Sequence, residues 1–222
     1  MAKHLKGMQN MKLSKNDLLL YAVTDRAWTG RQTLSEQVES AIKGGATCVQ
    51  LREKNLDEDE FLSEAILIKA LCAKYNVPFI VNDNVEIALK CNADGVHVGQ
   101  DDMCIGEVRK AVGSSMIIGV SAQTVEEAVA AEKGGADYLG VGAVFGTATK
   151  PDAKEVSFDT LGAICAAVDI PVVAIGGINK KNMCELNGTG ISGVALVSAI
   201  FSAPDIESEC RQLLRTAKKT VG

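Results

Sequence analysis

In the pentad Gln50-Leu51-Arg52-Glu53-Lys54, alternate side chains of an extended strand share a face. Gln50, Arg52 and Lys54 therefore project together, while Leu51 and Glu53 point away. Two cations aimed into one space repel each other unless an anion sits between them. Arg offers phosphate oxygens a planar fork, and Lys a compact point charge. The competing reading is a solvated loop in which a cation pairs with Glu53. Asp83 and Asp102 are acidic residues, each just beyond an apolar run, with Asp101 a rival for the second place. Their hard oxygens suit Mg2+, which takes one or two protein carboxylates and fills its shell with water and substrate phosphate. Taken alone, such loop aspartates are usually helix caps. Beside Arg52, Lys54 and Lys150 the metal reading gains, because a divalent ion with cations is what holds a polyphosphate.

A second group of residues also suits an anion. Thr147-Ala148-Thr149-Lys150 follows Gly140-Val141-Gly142. The P-loop order is absent and one Gly-x-Gly is too weak to indicate a dinucleotide site, yet hydroxyls and backbone amides still fit phosphate. Gly176-Gly177 and Val197-Ser198 end two further apolar runs, where tight turns alone would also ask for glycine. The chain has only two histidines, His4 and His97. His4 falls in the N-terminal tail, and His97 lies inside an apolar run, a position that reads as packed more readily than catalytic. No Ser-His-Asp or Cys-His set can be assembled, and a zinc site lacks ligands. The chemistry therefore needs little acid-base help; ionisation of a good leaving group under metal and cations fits.

The elements that position these residues are short apolar runs at Leu18–Thr24, Cys48–Leu51, Phe79–Val81, Gly95–Val98, Met116–Val120, Tyr138–Val144, Pro171–Ile175 and Gly193–Val197. They are nearly continuous, as in parallel strands covered on both faces. Amphipathic segments such as Thr33–Lys43, Asp57–Tyr75, Thr124–Lys133 and Phe158–Val168 alternate with them. Thr33 with Glu36, and Thr124 with Glu127, read as capping boxes. Such a repeat, filling 222 residues without a linker, predicts a single α/β domain, a (β/α)8 TIM barrel over residues 17–219. An open doubly wound sheet is the runner-up. Residues 1–16 read as a flexible N-terminal extension. In a barrel, chemistry sits where strands end, and Ser121 joins the candidates there, at the end of the fifth strand.

Composition narrows the function further. Lys and Arg number 23 against 28 Asp and Glu, and aromatic residues make up 4%. That balance argues against coating nucleic acid or an anionic membrane, and against base-stacking platforms. The seven scattered cysteines form no C-x-x-C pair. Free thiols in a reducing cytoplasm are the better reading than a disulfide frame. Met1 to Lys15 holds no apolar run of signal-peptide length,. Small-molecule partners are expected, and a homo-oligomer stays open.

Taken in order, several motifs resemble the thiamine-phosphate synthase family. They are the pentad, Val81-Asn82-Asp83, Gly95-Val96-His97-Val98-Gly99-Gln100-Asp101-Asp102, Gly119-Val120-Ser121-Ala122, Thr147-x-Thr149-Lys150, Ile175-Gly176-Gly177-Ile178, and Gly193-Val194-Ala195-x-Val197-Ser198-Ala199-Ile200. The likeness runs from about Leu20 to Ile200. It implies a (β/α)8 barrel that joins 4-amino-2-methyl-5-hydroxymethylpyrimidine diphosphate to a thiazole phosphate, giving thiamine monophosphate and pyrophosphate. By this resemblance the pentad from Gln50 to Lys54, with Asn82, holds the pyrimidine diphosphate. Ser121 and Lys150 contact the diphosphate, and Asp83 and Asp102 bind Mg2+. Thr147, Ala148, Thr149, Gly177, Val197 and Ser198 surround the thiazole phosphate, which is either the plain or the carboxylated form. Arg52, Lys54, Ser121 and Lys150 are the expected catalytic residues of a dissociative reaction.

Two positions depart from the family's pattern. Gln123 stands where many members have His, and Gly146 where members often have Pro. The first weakens the sister activity, a thiazole tautomerase. A sugar-phosphate epimerase on the same scaffold would have no use for Asp83, Asp102 and the Arg52/Lys54 pair. A non-catalytic phosphate-ligand sensor could keep the cations and dispense with metal.

Overall fold

The computed structural model describes residues 13–30, 32–99, 104–146 and 155–221. Eight parallel strands run as β1 (Leu20–Val23), β2 (Cys48–Leu51), β3 (Phe79–Asn82), β4 (Gly95–Val98), β5 (Ile117–Ala122), β6 (Tyr138–Val141), β7 (Val172–Ile175) and β8 (Gly193–Leu196). Each pairs with the next, and β1 pairs with β8 through Tyr21 opposite Ala195, so the sheet closes. That pairing decides against the open doubly wound alternative. The helices are α1 (Leu34–Lys43), α2 (Glu58–Tyr75), α3 (Val85–Lys90), α4 (Ile105–Val112), α5 (Val125–Lys133), α6 (Phe158–Ala167), α7 (Ser198–Phe201) and α8 (Ile206–Val221). The unit after β7 departs from the repeat: a 3-10 turn at Met183–Leu186 takes the place of a helix.

Strand residues alternate between two cores. Leu20, Ala22, Val49, Leu51, Val81, Val96, Ile118, Leu139, Val172 and Val194 face the helices. Tyr21, Val23, Cys48, Ile80, Ile117, Tyr138, Val173 and Ala195 fill the barrel. The strands read as unbroken apolar runs because both faces are dry. Polar side chains that the sequence places on the inner face, Gln50, Asn82 and His97, are buried with them. Residues Lys15–Leu18 form a 3-10 helix capped reciprocally by Ser14 and Asp17. Leu18 is fully buried in the inner core and Leu13 packs against it, so this turn plugs the barrel floor. The apolar run expected as a strand from Leu18 therefore splits into a plug and a strand.

Caps set the helix starts close to the strand ends. The side chains of Thr33, Asp57, Asn84, Thr124 and Ser157 each accept a backbone N–H in the first turn of the following helix. A cap of this kind stabilises by ~1 kcal/mol. The Thr33–Glu36 capping box is complete. At Thr124 only half of it forms, because the Glu127 carboxylate accepts the Gln123 N–H at 2.6 Å instead of reaching the cap residue.

Candidate active site

Gln50 and Leu51 take opposite faces of β2, as their spacing predicts, while beyond the strand Glu53 and Lys54 both border one cleft. Gln50 is buried inside the barrel and its Nε2 donates to the Tyr21 hydroxyl at 2.8 Å. Leu51 is fully buried in the outer core, so its side chain faces the helices and only its main chain remains for a ligand. The Arg52 N–H donates to Thr24 Oγ1 at 3.0 Å. The half-buried Arg52 side chain makes no ion pair among the described residues. Glu53 turns away and accepts from Arg26 Nε at 2.8 Å, while Arg26 also reaches Glu64 at 2.6 Å. Burial outweighs that attraction and raises the Glu53 carboxyl above its ordinary range. Its second oxygen, Oε1, has no hydrogen-bond partner among the described residues. Arg26 is thus the Glu53 partner, and neither pentad cation is spent on it.

Lys54 instead crosses to the end of β3, where its Nζ lies 2.8 Å from Asp83 Oδ2. Lys54, Glu53, Asn82 and Asp83 line one open cleft of about 590 Å3, together with Phe61 and Asn84. Asp83 sits at φ 61°, in the left-handed region. Its N–H bonds the His97 carbonyl at 2.8 Å, and Asn84 begins the α3 cap immediately after. A non-glycine residue held there costs of order 1 kcal/mol. The chain accepts that cost to turn a carboxylate over the mouth rather than along the strand.

Ser121, near the end of β5, lies 3.0 Å from His97 Nε2. The other ring nitrogen, Nδ1, lies 2.9 Å from the Tyr138 hydroxyl, and that hydroxyl 2.8 Å from the Tyr21 hydroxyl. A continuous chain of side-chain hydrogen bonds thus runs Gln50–Tyr21–Tyr138–His97–Ser121 across the barrel interior. Burial lowers His97 to about 4, so the imidazole is neutral, and burial raises both phenols well above their ordinary value. Two glycines make room for the rings. A Cβ at Gly119 would sit inside the Tyr138 ring, and one at Gly140 would meet His97 Cε1 at 3.0 Å. The sequence reading of His97 as packed misses this link to Ser121, and it overlooks Tyr21 and Tyr138 altogether. The available signal was a tyrosine at an inward-facing position in each of two strands otherwise built from small and aliphatic residues.

The Gly176-Gly177 turn after β7 is more than a tight bend. Both residues have positive φ, at 99° and 64°, and a Cβ on either would lie 2.6 Å from the β6 loop, at Ala143 or Gly146. That loop is threaded against β7 by the Val144 N–H to the Ile175 carbonyl at 3.0 Å. The Gly177 carbonyl accepts from Asn179 and Asn182, at 3.2 and 3.0 Å. Half-buried Val197 and exposed Ser198 lie where β8 passes into α7. Gln123 is anchored weakly, its Nε2 donating to the Gly142 carbonyl at 3.3 Å. Asp102, Thr147, Ala148, Thr149 and Lys150 lie outside the described residues, as do Gln100 and Asp101.

The donor set fits a hard cation in one respect that can be checked: Asp83 turns a carboxylate into an open polar cleft, and Mg2+ needs few protein ligands. Among the described residues, no group of three or more acidic, His or Cys side chains could hold a metal by itself. A substrate phosphate would have to complete the shell. All seven cysteines are free thiols, and among the described residues no helix is long and apolar enough to cross a membrane.

Comparison with known proteins agrees with this architecture. The family model described as thiamine monophosphate synthase matches residues 20–200. A thiamine-phosphate synthase of Ruminiclostridium cellulolyticum is 54% identical over 201 residues, spanning 90% of this chain and 96% of the relative. One from Clostridium tetani is 49% identical over 197 residues, 89% of this chain and 94% of its own. The solved thiamine phosphate pyrophosphorylase of Pyrococcus furiosus superposes with a TM-score of 0.86 at 40% identity, covering 94% of this chain and 99% of that one. A Clostridium perfringens N-acetylmannosamine-6-phosphate 2-epimerase at 18% identity and TM-score 0.64 shares the barrel alone. The chain belongs to the thiamine monophosphate synthase family.

Proposed function

We propose that this chain condenses 4-amino-2-methyl-5-hydroxymethylpyrimidine diphosphate with a thiazole phosphate, giving thiamine monophosphate and pyrophosphate. The observation that carries the reading is the meeting of Lys54 and Asp83 over the cleft that Asn82 also lines, in a chain of this family. An isomerase would need a proton-transferring side chain and no cation–carboxylate pair at β2 and β3. Gln123 carries no titrating group, and the buried, neutral His97 is engaged on both ring nitrogens.

Pyrimidine diphosphate binds with its charged end over Lys54, Arg52 and Asn82. Asp83, with Asp102, would hold Mg2+, which when bound supplies positive charge to the diphosphate oxygens. The C–O bond to the diphosphate ionises as Lys54, Arg52 and Lys150 take up charge accumulating on the leaving group. Ser121 donates a hydrogen bond to the same group. The thiazole nitrogen then captures the pyrimidinylmethyl cation, so the bond that forms is C–N and the one that breaks is C–O. Gly177, Val197 and Ser198, with Thr147, Ala148 and Thr149, hold the thiazole phosphate in line. Holding two reactants in an attack geometry can be worth roughly 7–11 kcal/mol. The free thiols fit a reducing cytoplasm as the place of work.

Incubation of the purified protein with both substrates and Mg2+, followed by mass detection, should yield thiamine monophosphate. Absence of that product, with turnover of an isolated thiazole or sugar phosphate instead, would point to the isomerase reading.

A further inference from the structure

The hydrogen-bonded chain through the barrel interior can carry its protons in either of two directions. Gln50 Nε2 can only donate, so the Tyr21 oxygen accepts at 2.8 Å. Either hydroxyl can donate in the Tyr21–Tyr138 contact at 2.8 Å; in one of the two arrangements Tyr21 gives its single proton to Tyr138. In that arrangement Tyr138 passes its one proton to His97 Nδ1 at 2.9 Å. A neutral imidazole with Nδ1 accepting carries its hydrogen on Nε2. That hydrogen is donated to Ser121 Oγ, 3.0 Å away. In that arrangement Ser121 is an acceptor towards the barrel interior, and its own proton is donated away from His97.

We propose that His97 is a positioning residue for Ser121, the last link of a one-way chain from Gln50 that turns the serine proton outward, onto an anionic oxygen of the bound diphosphate. This rests on the reading of Ser121 as a diphosphate contact. Were the tautomer reversed, Nε2 would accept the Ser121 proton and the serine would present lone pairs to an anion, a repulsive arrangement. The glycines at 119 and 140 fit the same purpose, since any side chain there would displace the Tyr138 or His97 ring. The interior could have been filled by aliphatic residues, as it is at Val23, Ile80, Ile117 and Val173. Four buried polar side chains arranged in series instead lead to the serine at the mouth.

The test combines a spectroscopic and a kinetic arm on the full chain. Nitrogen NMR of protein labelled at histidine should show His97 as the Nε2–H tautomer, its signal assigned as the one of two that His97→Gln removes. Tyr138→Phe, which deletes the proton given to Nδ1, should yield a mixture of tautomers and lower kcat about tenfold with little change in KM for the thiazole phosphate. In a Ser121→Ala background the same Tyr138→Phe change should have no further effect on kcat. An Nδ1–H tautomer in the wild type, or full additivity of the two substitutions, would overturn the relay while leaving Ser121 as a contact. Wild-type turnover in Ser121→Ala alone would overturn the diphosphate-contact reading, and the relay's function with it.

Discussion

The Lys54 ammonium, carried by the chain leaving β2, lies 2.8 Å from the Asp83 carboxylate at the end of β3. The pair keeps a cation and a candidate metal ligand at the mouth in mutual register before any diphosphate arrives. Side-chain exposures of 52% and 35% make it a weak structural bond, worth ~0–1 kcal/mol. Lys54→Ala should therefore leave the melting temperature nearly unchanged. Its kcat/KM for the pyrimidine diphosphate should fall by about 100-fold, the scale seen when a charge-stabilising donor is removed. A large loss of stability with near-normal kinetics would make the pair a structural clamp and nothing more.

Asp83 also allows stability and activity to be separated. At φ 61° a glycine would be more at ease than an aspartate. Asp83→Gly should keep or slightly raise stability, by up to ~1 kcal/mol, and abolish most turnover. Chemical denaturation alongside a product assay checks both. A clear destabilisation would mean that the carboxylate itself helps hold the β3 end in place.

His97 gives the fold a defined acid sensitivity. Burial lowers it to about 4 in the folded protein, against an ordinary value of ~6.5 in the unfolded chain. Between those values the unfolded state binds the extra proton. The His97 contribution is thus fully present above pH ~6.5 and is lost as pH falls towards 4, amounting to about 3 kcal/mol. Melting temperatures of the wild type should drop more steeply from pH 7 to pH 5 than those of His97→Gln. Parallel slopes would assign the acid sensitivity to other groups.

Gly177→Ala meets two obstacles at once, a positive φ of 64° and a Cβ 2.6 Å from the Gly146 carbonyl oxygen. The β6 loop would have to move, and with it the pocket proposed for the thiazole phosphate. KM for the thiazole phosphate should rise about tenfold, equivalent to ~1.4 kcal/mol, with a smaller effect on the pyrimidine diphosphate. Equal effects on both substrates would place Gly177 outside that pocket.

Much of the barrel was legible because strands covered on both faces leave continuous apolar runs, and because caps such as Thr33 and Asp57 mark where helices begin. Closure was not, since it depends on β1 meeting β8, a contact no local pattern encodes. The Leu18 plug looked like strand because a buried turn and a buried strand draw on the same residues. In the site, the two-residue period of the pentad placed Gln50 inside and Leu51 outside, as the structure has them. It could not reveal that Arg26, from the preceding unit, neutralises Glu53. Nor could it show that Tyr21 and Tyr138, 117 residues apart, share a hydrogen bond. The first follows from β1 and β2 lying side by side, the second from the closed ring, which faces β1 and β6 across its interior.

The central claim is that cations and a divalent ion at the barrel mouth ionise the pyrimidine diphosphate without a protein base. Pyrophosphate release is its most direct readout, followed with each substrate alone, with both, and with both plus a chelator. Release that requires both substrates and Mg2+, and collapses in EDTA, is the predicted result. Release that proceeds equally in EDTA would contradict the claim.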